Sequence, residues 1–474
     1  MAEARPRSKM SPFGLRPTTT PSWAVSRRAV LLGALVGAGS LAGCTVVSDG
    51  VGAAELSGAL DKQPAGGRPR TIEMYNLWGG RAGKAWVAMA ELYEEIQDEV
   101  AVRITFAPPS PDTQVRLLTA IASESPPDVA FVTPEQYPQL TGLGVTTDLG
   151  PYLAASGLGE QNFHPTVWNA MSVTGSVYSM PAMVDPNFPL FYNPALLAEA
   201  GLDPQSPPVT LDDLSRMSDA ILRREGGRAT RIGTMPWNYY GYSNSLYTIG
   251  FAYGAHFVSQ DNARVTPESP AVVTALEWIC DFTERMGGAG NVAVTPPGFS
   301  LPVLGTGNVA MMPMTANDAS NLAQNSDIKL ASVPFPFAEG YGEPGSATWI
   351  GGWNMFIPSK AKDPDAAWDF IRWVTTSPEG TSKNYEEMSN IPGIVQAPAL
   401  AKLEQDPTLG IFAEALRDAQ NVRPPIPVAA TYTQQLDIFV GQAIFGRISP
   451  ERAMQRVSEI TNAEWDEFRE RNGS

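Results

Sequence analysis

The sequence contains very few of the residues that most metal sites and nucleophilic enzymes require. Its 474 residues include two cysteines, Cys44 and Cys280, and two histidines, His164 and His256. No CxxC, HExxH or GxSxG motif occurs anywhere in it. A zinc site or a cysteine–histidine catalytic pair would have almost no residues to draw on. The sequence therefore predicts no metal site and no bound cofactor.

Charge is also scarce, and basic charge most of all. Only 17% of the residues are charged, and 33 Lys and Arg stand against 49 Asp and Glu, a net charge of −16. This balance excludes the basic footprint of a nucleic-acid-binding protein. Apolar residues make up 43%, enough for a sizeable core, and the length predicts more than one domain.

The first part of the chain has the layout of an export signal. Basic residues dominate positions 1–28, and the uncharged stretch "AVLLGALVGAGSLAG" follows at 29–43. As a helix this stretch would be about 22 Å long, shorter than a membrane core of about 30 Å. We therefore predict that residues 1–43 are a signal peptide and not a membrane span.

Two short motifs refine this prediction. "SRRAVL" (26–31) resembles a twin-arginine export signal but departs from that pattern at Val30 and Leu32, so the general export route stays open. "LAGC" (41–44) resembles a bacterial lipobox, which implies a lipid on Cys44; the alternative is a cysteine that merely follows the signal. Residues 44–70 are then a lipidated N-terminus and flexible tether, which would hold the protein at the outer face of the cytoplasmic membrane.

The body of the chain begins with alternating strands and helices. Strands are predicted at 71–77, 102–106 and 128–132, with helices at 84–97 and 113–123 between them. Trp86, Met89, Tyr93 and Ile96 share one face of the first helix. This alternation predicts an α/β fold with a parallel sheet and right-handed crossovers.

The loops that follow the first and third strands predict a binding cleft, because ligands of such sheets bind beyond the carboxyl ends of the strands. Trp78 and Gly79 follow the first strand, and Glu135 and Gln136 follow the third. Gly79 and Gly83 are separated by only three residues and Lys84 is followed by Ala85, so this loop does not match the phosphate-binding pattern GxxxxGK[ST].

Several ordered segments resemble one protein family. They are "TAIASESPPDVAFV", "GSVYSMPAMVDPNFPLFYNPALLAEAGLDP", "GNVAMMPM", "IGGWNMFIPSKAKDPDAAWDFIRWVTTSPEG" and "ISPERAMQRV". Together they resemble, from about residue 71 to 474, the extracytoplasmic solute-binding proteins of ATP-driven carbohydrate importers. The ordered set carries this resemblance more than any single motif does.

The resemblance implies two Rossmann-like lobes joined by hinge strands, the type II periplasmic binding protein fold. Lobe 1 would comprise residues 71–184 and 317–376, and lobe 2 residues 185–316 and 377–474. Hinges would lie near residues 185–189, 314–317 and 375–376.

The resemblance and the loop positions together nominate a set of ligand-binding residues. For each of them ordinary packing or solvation is the alternative, and one or two of the aromatic loop 237–240 are expected to contact ligand. The candidates are Trp78, Gly79, Glu135, Gln136, Asp185, Trp237, Asn238, Tyr239, Tyr240, Thr315, Asn317, Gly352, Trp353, Arg423 and Tyr432.

The function implied is capture of a sugar between two lobes and its delivery to a membrane permease, by a monomer with no catalytic residues. Two alternatives stay open. One is a secreted carbohydrate-active enzyme, for which Glu135 and Asp185 are the pair to test. The other is a binder of a non-sugar solute such as a glycerophosphodiester or a polyamine.

Overall fold

The structure is a computed structural model that describes residues 60–107, 120–121, 125–173, 175–292 and 303–472. The predicted signal peptide, Cys44 and most of the predicted helix 113–123 lie outside the described residues. The predicted tether is described only from residue 60 onward. There Leu60 is fully buried and Lys62 Nζ lies 2.7 Å from Glu94 Oε2 in a buried ion pair. Leu60, Lys62 and Arg68 thus contact the fold, whereas most residues between them are exposed, and the limits of the tether stay a prediction.

The strands are short and spread along the whole described chain. They are β1 Arg70–Asn76, β2 Val100–Phe106, β3 Ala130–Val132, β4 Ser172–Val173, β5 Ser176–Val177, β6 Met180–Asn187, β7 Leu190–Tyr192, β8 Arg223–Glu225, β9 Arg228–Arg231, β10 Met311–Pro313, β11 Ala331–Val333, β12 Trp349–Phe356 and β13 Asn421–Val422.

Helices alternate with these strands and dominate the last hundred residues. They are α1 Gly80–Glu95, α2 Tyr137–Gly142, α3 Gly150–Ala155, α4 Pro165–Met171, α5 Pro194–Glu199, α6 Leu211–Ile221, α7 Tyr242–Ala252, α8 Pro270–Arg285, α9 Ala316–Asn325, α10 Pro364–Thr376, α11 Pro378–Met388, α12 Pro398–Gln405, α13 Ile411–Asp418, α14 Ala429–Ile444 and α15 Pro450–Asn472.

The predicted strand–helix–strand unit at the start of the fold is present. β1 and β2 pair in parallel over their full length, from Arg70 opposite Val100 to Asn76 opposite Phe106. A further parallel bridge joins Met74 to Val129, just before β3. The inward face of α1 is buried as predicted except at Ile96, which is 45% exposed because the helix ends at Glu95.

The central strand is β12. It pairs antiparallel with β3 and β6 and parallel with β13, so this sheet is mixed and not purely parallel. In the β6 pairing Asp185 lies opposite Gly351 and Val184 opposite Gly352. A second sheet has β7 between β10 and β11, antiparallel to both.

The buried apolar residues form two main clusters, and β6 and β12 run from one to the other. In β6, Met180 and Ala182 belong to the smaller cluster, which includes β1, β2 and α10, whereas Val184 belongs to the larger one. In β12, Trp349 and Ile350 pack in the larger cluster and Met355 in the smaller.

Cluster membership does not follow the predicted lobe limits everywhere. The buried apolar residues between 317 and 350 belong to the larger cluster, although this segment was assigned to lobe 1. Met388, Ile394 and Ala397 belong to the smaller cluster, although they follow the predicted return to lobe 2. A division by core would move both segments across the boundary, and the lobe limits stay a prediction.

Helix starts and stops follow the local sequence. Asn193 caps α5 by accepting the N–H of Ala195 at 3.0 Å, Pro194 occupies its first turn, and Gly201 follows its end with a φ of +77°. The Cys280 thiol is free and half-buried, and burial, together with the nearby Asp281 and Glu277 carboxylates, raises its pKa to about 12. A thiol held in that form is a poor nucleophile.

Candidate functional site

One group of candidates lies just beyond β1. The Trp78 ring contacts Phe131 at 4.7 Å and Trp353 at 5.4 Å between centroids, both edge to face. The Asn76 side chain holds the loop by accepting the N–H of Trp78 and donating to its carbonyl. Trp78 and Trp353 remain half-buried, while Gly79 immediately precedes α1. The structure thus brings the rings of Trp78 and Trp353 into contact, and Gly79 is next to Trp78 in the chain.

A second group meets at a buried ion pair. Glu135 lies just past β3, and its Oε1 is 3.1 Å from Arg423 Nη1 in an ion pair. The same oxygen accepts a hydrogen bond from the Thr133 hydroxyl at 2.8 Å. The Arg423 guanidinium also lies over the Trp349 ring, with Cζ 5.2 Å from the centroid. Gln136, the next residue after Glu135, is half-buried.

The ion pair leaves two polar atoms unsatisfied. Glu135 Oε2 and Arg423 Nε are both buried and have no hydrogen-bond partner among the described residues. Buried polar atoms normally have partners, because an unpaired one costs about 1–3 kcal/mol. These two atoms are therefore available to a water molecule or to a ligand.

Asp185 stands where β6 and β12 pass between the two clusters. Burial and, to a lesser extent, the nearby Asp318 carboxylate raise its pKa to about 7, even though Arg423 acts in the opposite direction. No described residue donates a hydrogen bond to this carboxyl. Near neutral pH, the Asp185 carboxyl is therefore present in both its protonated and its ionised form.

The start of α9 places a second carboxyl beside it. Thr315 caps this helix, and Asp318 lies in its first turn. Tyr240 donates its hydroxyl hydrogen to Asp318 Oδ2 and accepts the N–H of Thr315 at 3.2 Å. Burial raises the pKa of Asp318, and the hydrogen bonds from Tyr240 and Thr315 oppose that rise. Asn317 points elsewhere and donates to the Met388 carbonyl at 2.7 Å.

Three aromatic candidates are core residues. Trp237, Tyr239 and Tyr432 are at most 4% exposed and belong to the larger cluster. The Tyr239 hydroxyl lies 2.9 Å from the Thr234 hydroxyl, and the Tyr432 hydroxyl donates to the Phe257 carbonyl. In this structure their packing accounts for them.

Other candidates have local structural roles. Asn238 is half-buried and accepts the N–H of Gly241 at 3.3 Å. Gly352 has a φ of +107°, and a Cβ there would lie 1.8 Å from the Met183 carbonyl oxygen. The close approach of β6 to β12 thus requires glycine at this position.

Sequence reasoning missed several residues of this region. Asp437, inside α14, accepts the N–H of Ser243 at 2.7 Å at the start of α7. Burial raises its pKa, the Ser243 hydrogen bonds lower it, and Arg423 also lowers it. Asp318 and Trp349 were missed as well, although Asp318 follows the nominated Asn317 by one residue. Nothing in the local sequence distinguishes Asp437 from a solvent-facing helical residue.

The described residues contain neither a membrane-spanning helix nor a cluster of metal-ligating side chains. Within the ranges given above, no helix is long and apolar enough to cross a membrane. Over the same ranges, no three or more His, Cys, Asp or Glu side chains come together as they would around a metal ion.

Comparison with known families identifies the class of protein that this fold and site define. Residues 79–381 match the model of the bacterial extracellular solute-binding protein family. The match covers more than half of the chain, and the protein belongs to this family. It is a solute-binding protein and not an enzyme, as the sequence resemblance implied.

Individual relatives agree with this assignment. The chain is 24% identical over 435 residues to a mannitol-binding protein of Pseudomonas aeruginosa, covering 80% of this chain and 97% of the relative. It is 24% identical over 306 residues to a probable ABC transporter-binding protein of Deinococcus radiodurans, covering 61% of this chain and 68% of the relative. The structure of CpMnBP1 with mannobiose bound superimposes with a TM-score of 0.74 at 23% identity, covering 83% of this chain and 100% of that one. The predicted α/β binding-protein fold is thereby confirmed.

Proposed function

We propose that this protein captures a sugar or polyol between two lobes and delivers it to the membrane permease of an ATP-binding-cassette importer. The names of the relatives support this reading, since they include a mannitol-binding protein, a mannobiose-bound protein and a probable ABC transporter-binding protein. The two lobes would each be built on one of the two apolar clusters.

The proposal rests on the charged and aromatic residues that lie together near the point where β6 and β12 extend from one cluster to the other. Arg423 pairs with Glu135 and lies over Trp349, whose ring meets Phe188 edge to face at 5.5 Å. Asp185 lies in β6, two residues before Asn187, which pairs with Trp349. Carboxylates and a guanidinium suit the hydroxyl rim of a sugar, and aromatic rings suit its C–H faces.

Capture by closure follows from this placement. A ligand favours a closed form only through contacts that the open form lacks, so the contacts must come from both sides of the groove. Glu135 follows β3, which contributes Phe131 to the smaller cluster, whereas Trp349 packs in the larger cluster. Arg423 contacts both Glu135 and Trp349. A solute bound there would stabilise the closed arrangement.

The proposal also includes the predicted anchoring. The lipid on Cys44 would hold the mature monomer at the outer face of the cytoplasmic membrane, next to the permease. A Cys44→Ala variant expressed in a lipoprotein-processing bacterium is expected to leave the membrane fraction for the soluble exported fraction. An Arg27→Lys/Arg28→Lys variant distinguishes the twin-arginine export route from the general one. Export that persists unchanged in this variant would indicate the general route.

Thermal unfolding of the purified mature chain tests the solute class. Mannitol, mannobiose and other neutral sugars at about 100 times the dissociation constant should stabilise the native state by about 2.7 kcal/mol and raise the melting temperature. Spermidine and glycerophosphocholine represent the non-sugar alternatives. Stabilisation by either of these, with no response to any sugar, would overturn the proposal. Small-angle scattering with the stabilising sugar should show a smaller radius of gyration if the lobes close.

A further inference from the structure

The Glu135–Arg423 pair contains one buried acceptor and one buried donor without partners among the described residues. Both partners are deeply buried, with side-chain exposures of 6% and 13%. Oε1 of Glu135 takes both the guanidinium and the Thr133 hydroxyl, so Oε2 is left without a donor. Arg423 uses Nη1 for the pair, and its Nε has no acceptor among the described residues.

Among hydroxyl, carboxylate, phosphate and ammonium groups, the hydroxyl suits a pair that offers both an acceptor and a donor. It donates one hydrogen and accepts others through its lone pairs. A carboxylate or a phosphate dianion could accept from Nε but has no hydrogen to give to Glu135. An ammonium could donate to Glu135 but has no lone pair to offer Arg423.

The charges around the pair also disfavour binding of an anionic ligand. Arg423 is the cation that lowers the pKa of both Asp185 and Asp437, and it is already paired with Glu135. Among the described groups, no other basic side chain acts on either of these two carboxyls. An anionic solute would therefore add charge of the same sign to a buried acidic region without a free cation to meet it.

We infer that the Glu135–Arg423 pair binds one ligand hydroxyl as both donor and acceptor, and that Glu135 makes the site selective for uncharged polyols and sugars over anionic ones. The inference rests on the proposed function and narrows it. Glu135 acts here as a specificity residue, because it cancels the positive charge that would otherwise attract a sugar phosphate or a uronate.

The experiment measures two affinities for wild type and for Glu135→Gln, by calorimetry on the mature chain. The neutral probe is whichever of mannose, mannitol and mannobiose binds best. The anionic probe is whichever of mannose 6-phosphate, glucuronate and glycerol 3-phosphate binds best. Wild type is expected to bind the neutral probe and to reject the anionic ones.

Glu135→Gln keeps an acceptor oxygen but removes the charge, which leaves Arg423 uncompensated. Affinity for the neutral probe should fall by about 10-fold to 100-fold, the range for a lost hydrogen bond to a charged group. Binding of an anionic probe should appear or strengthen. A pair with only a structural role would lower the melting temperature and leave the ratio of the two affinities unchanged, and that result would overturn the inference.

Two further measurements keep the test decisive. Arg423→Lys keeps the positive charge and loses the Nε donor, so it should weaken neutral binding while still rejecting anions. Glu386→Gln removes one partner of the exposed pair with Lys402 and should change neither affinity. If Glu135→Gln does not fold, anionic binding by wild type or by Arg423→Lys still refutes the inference. Failure of every sugar, neutral or anionic, refutes the proposed function itself, whereas tight anionic binding refutes only the selectivity.

Discussion

Tyr240 stacks on Phe188, with ring centroids 5.1 Å apart and planes within 14° of parallel. Phe188 directly follows β6, and Tyr240 lies two residues before α7. Phe188 also contacts Trp349, with the two ring planes at 90° to each other. The Arg423 guanidinium lies over the Trp349 ring. A continuous row of three rings and one guanidinium thus connects the start of α7 with the ion pair to Glu135.

This row predicts different roles for the neighbouring tyrosines. Tyr240→Phe keeps the ring stack but removes the donor to Asp318 and the acceptor for Thr315 N–H. We expect a loss of about 1–2 kcal/mol of stability, together with weaker solute binding. Tyr239→Phe breaks a hydrogen bond with Thr234 in the core and should lower stability by a similar amount without changing affinity. Urea unfolding and calorimetric titration measure the two effects. Equal losses of affinity in both variants would contradict the assignment.

The fate of this aromatic loop shows the limits of local sequence information. Position 237 and position 239 carry aromatic residues just as position 240 does, and the resemblance nominated all of them. Only the fold separates them, since Trp237 and Tyr239 turn into the larger cluster while Tyr240 adopts a positive φ of 59° and stays half-buried. Burial at this point depends on contacts with distant elements, which no local pattern contains.

Elements governed by short-range chemistry were predicted well. β1, α1 and β2 lie within a few residues of the predicted limits. Glu135 and Arg423 were both nominated, yet their pairing was not, because nearly three hundred residues separate them in the chain. The mixed sheet was missed for the same reason, since β12 pairs with β3 and β6 only through tertiary packing.

The ion pair itself predicts a large effect on stability. Arg423→Met leaves the buried Glu135 carboxylate without its cation, and we expect a loss of about 3–5 kcal/mol. Adding Glu135→Gln to that variant should recover part of the loss, because the remaining buried group is then neutral. Unfolding free energies of the two single variants and the double variant give the coupling energy. The exposed pair of Arg417 and Glu404 provides the control, where Arg417→Met should cost less than about 1 kcal/mol. No recovery in the double variant would show that Glu135 is not the group left unpaired.

A further prediction concerns the close antiparallel pairing of β6 and β12 at Gly352. Gly352→Ala places a Cβ against the Met183 carbonyl at a backbone φ that favours glycine. We expect a loss of about 3 kcal/mol or more, because the backbone itself must move. Gly66→Ala is the matched control, since a Cβ there has no atom within 4 Å, and it should change stability by less than about 0.5 kcal/mol. Thermal or urea unfolding compares them, and a tolerated Gly352→Ala would show that the two strands are not so closely paired in solution.

Asp185 predicts how stability depends on pH. Its pKa is raised to about 7 in the folded protein, whereas in the unfolded chain it is near the usual 3.8. Between these values the folded state binds more protons than the unfolded state, so this carboxyl's contribution to stability is fully present below about pH 4 and is lost as the pH rises to about 7.

The Asp185→Asn variant has no ionisable group at this position, so it should not lose stability in this way as the pH rises. The variant and the wild type should be about equally stable near pH 4, and at pH 8 the variant should be more stable by on the order of 1 kcal/mol. The full shift would imply more, but Asp185 is only half-buried by exposed area, and solvent weakens the effect. Unfolding free energies at several pH values measure the difference, with the exposed Asp98→Asn as control. A difference that stays constant from pH 4 to pH 8 would mean that the carboxyl is ionised throughout. In that case the repulsion from Asp318 is relieved by Arg423 or by solvent, and Asp185 would meet a ligand as a permanent acceptor.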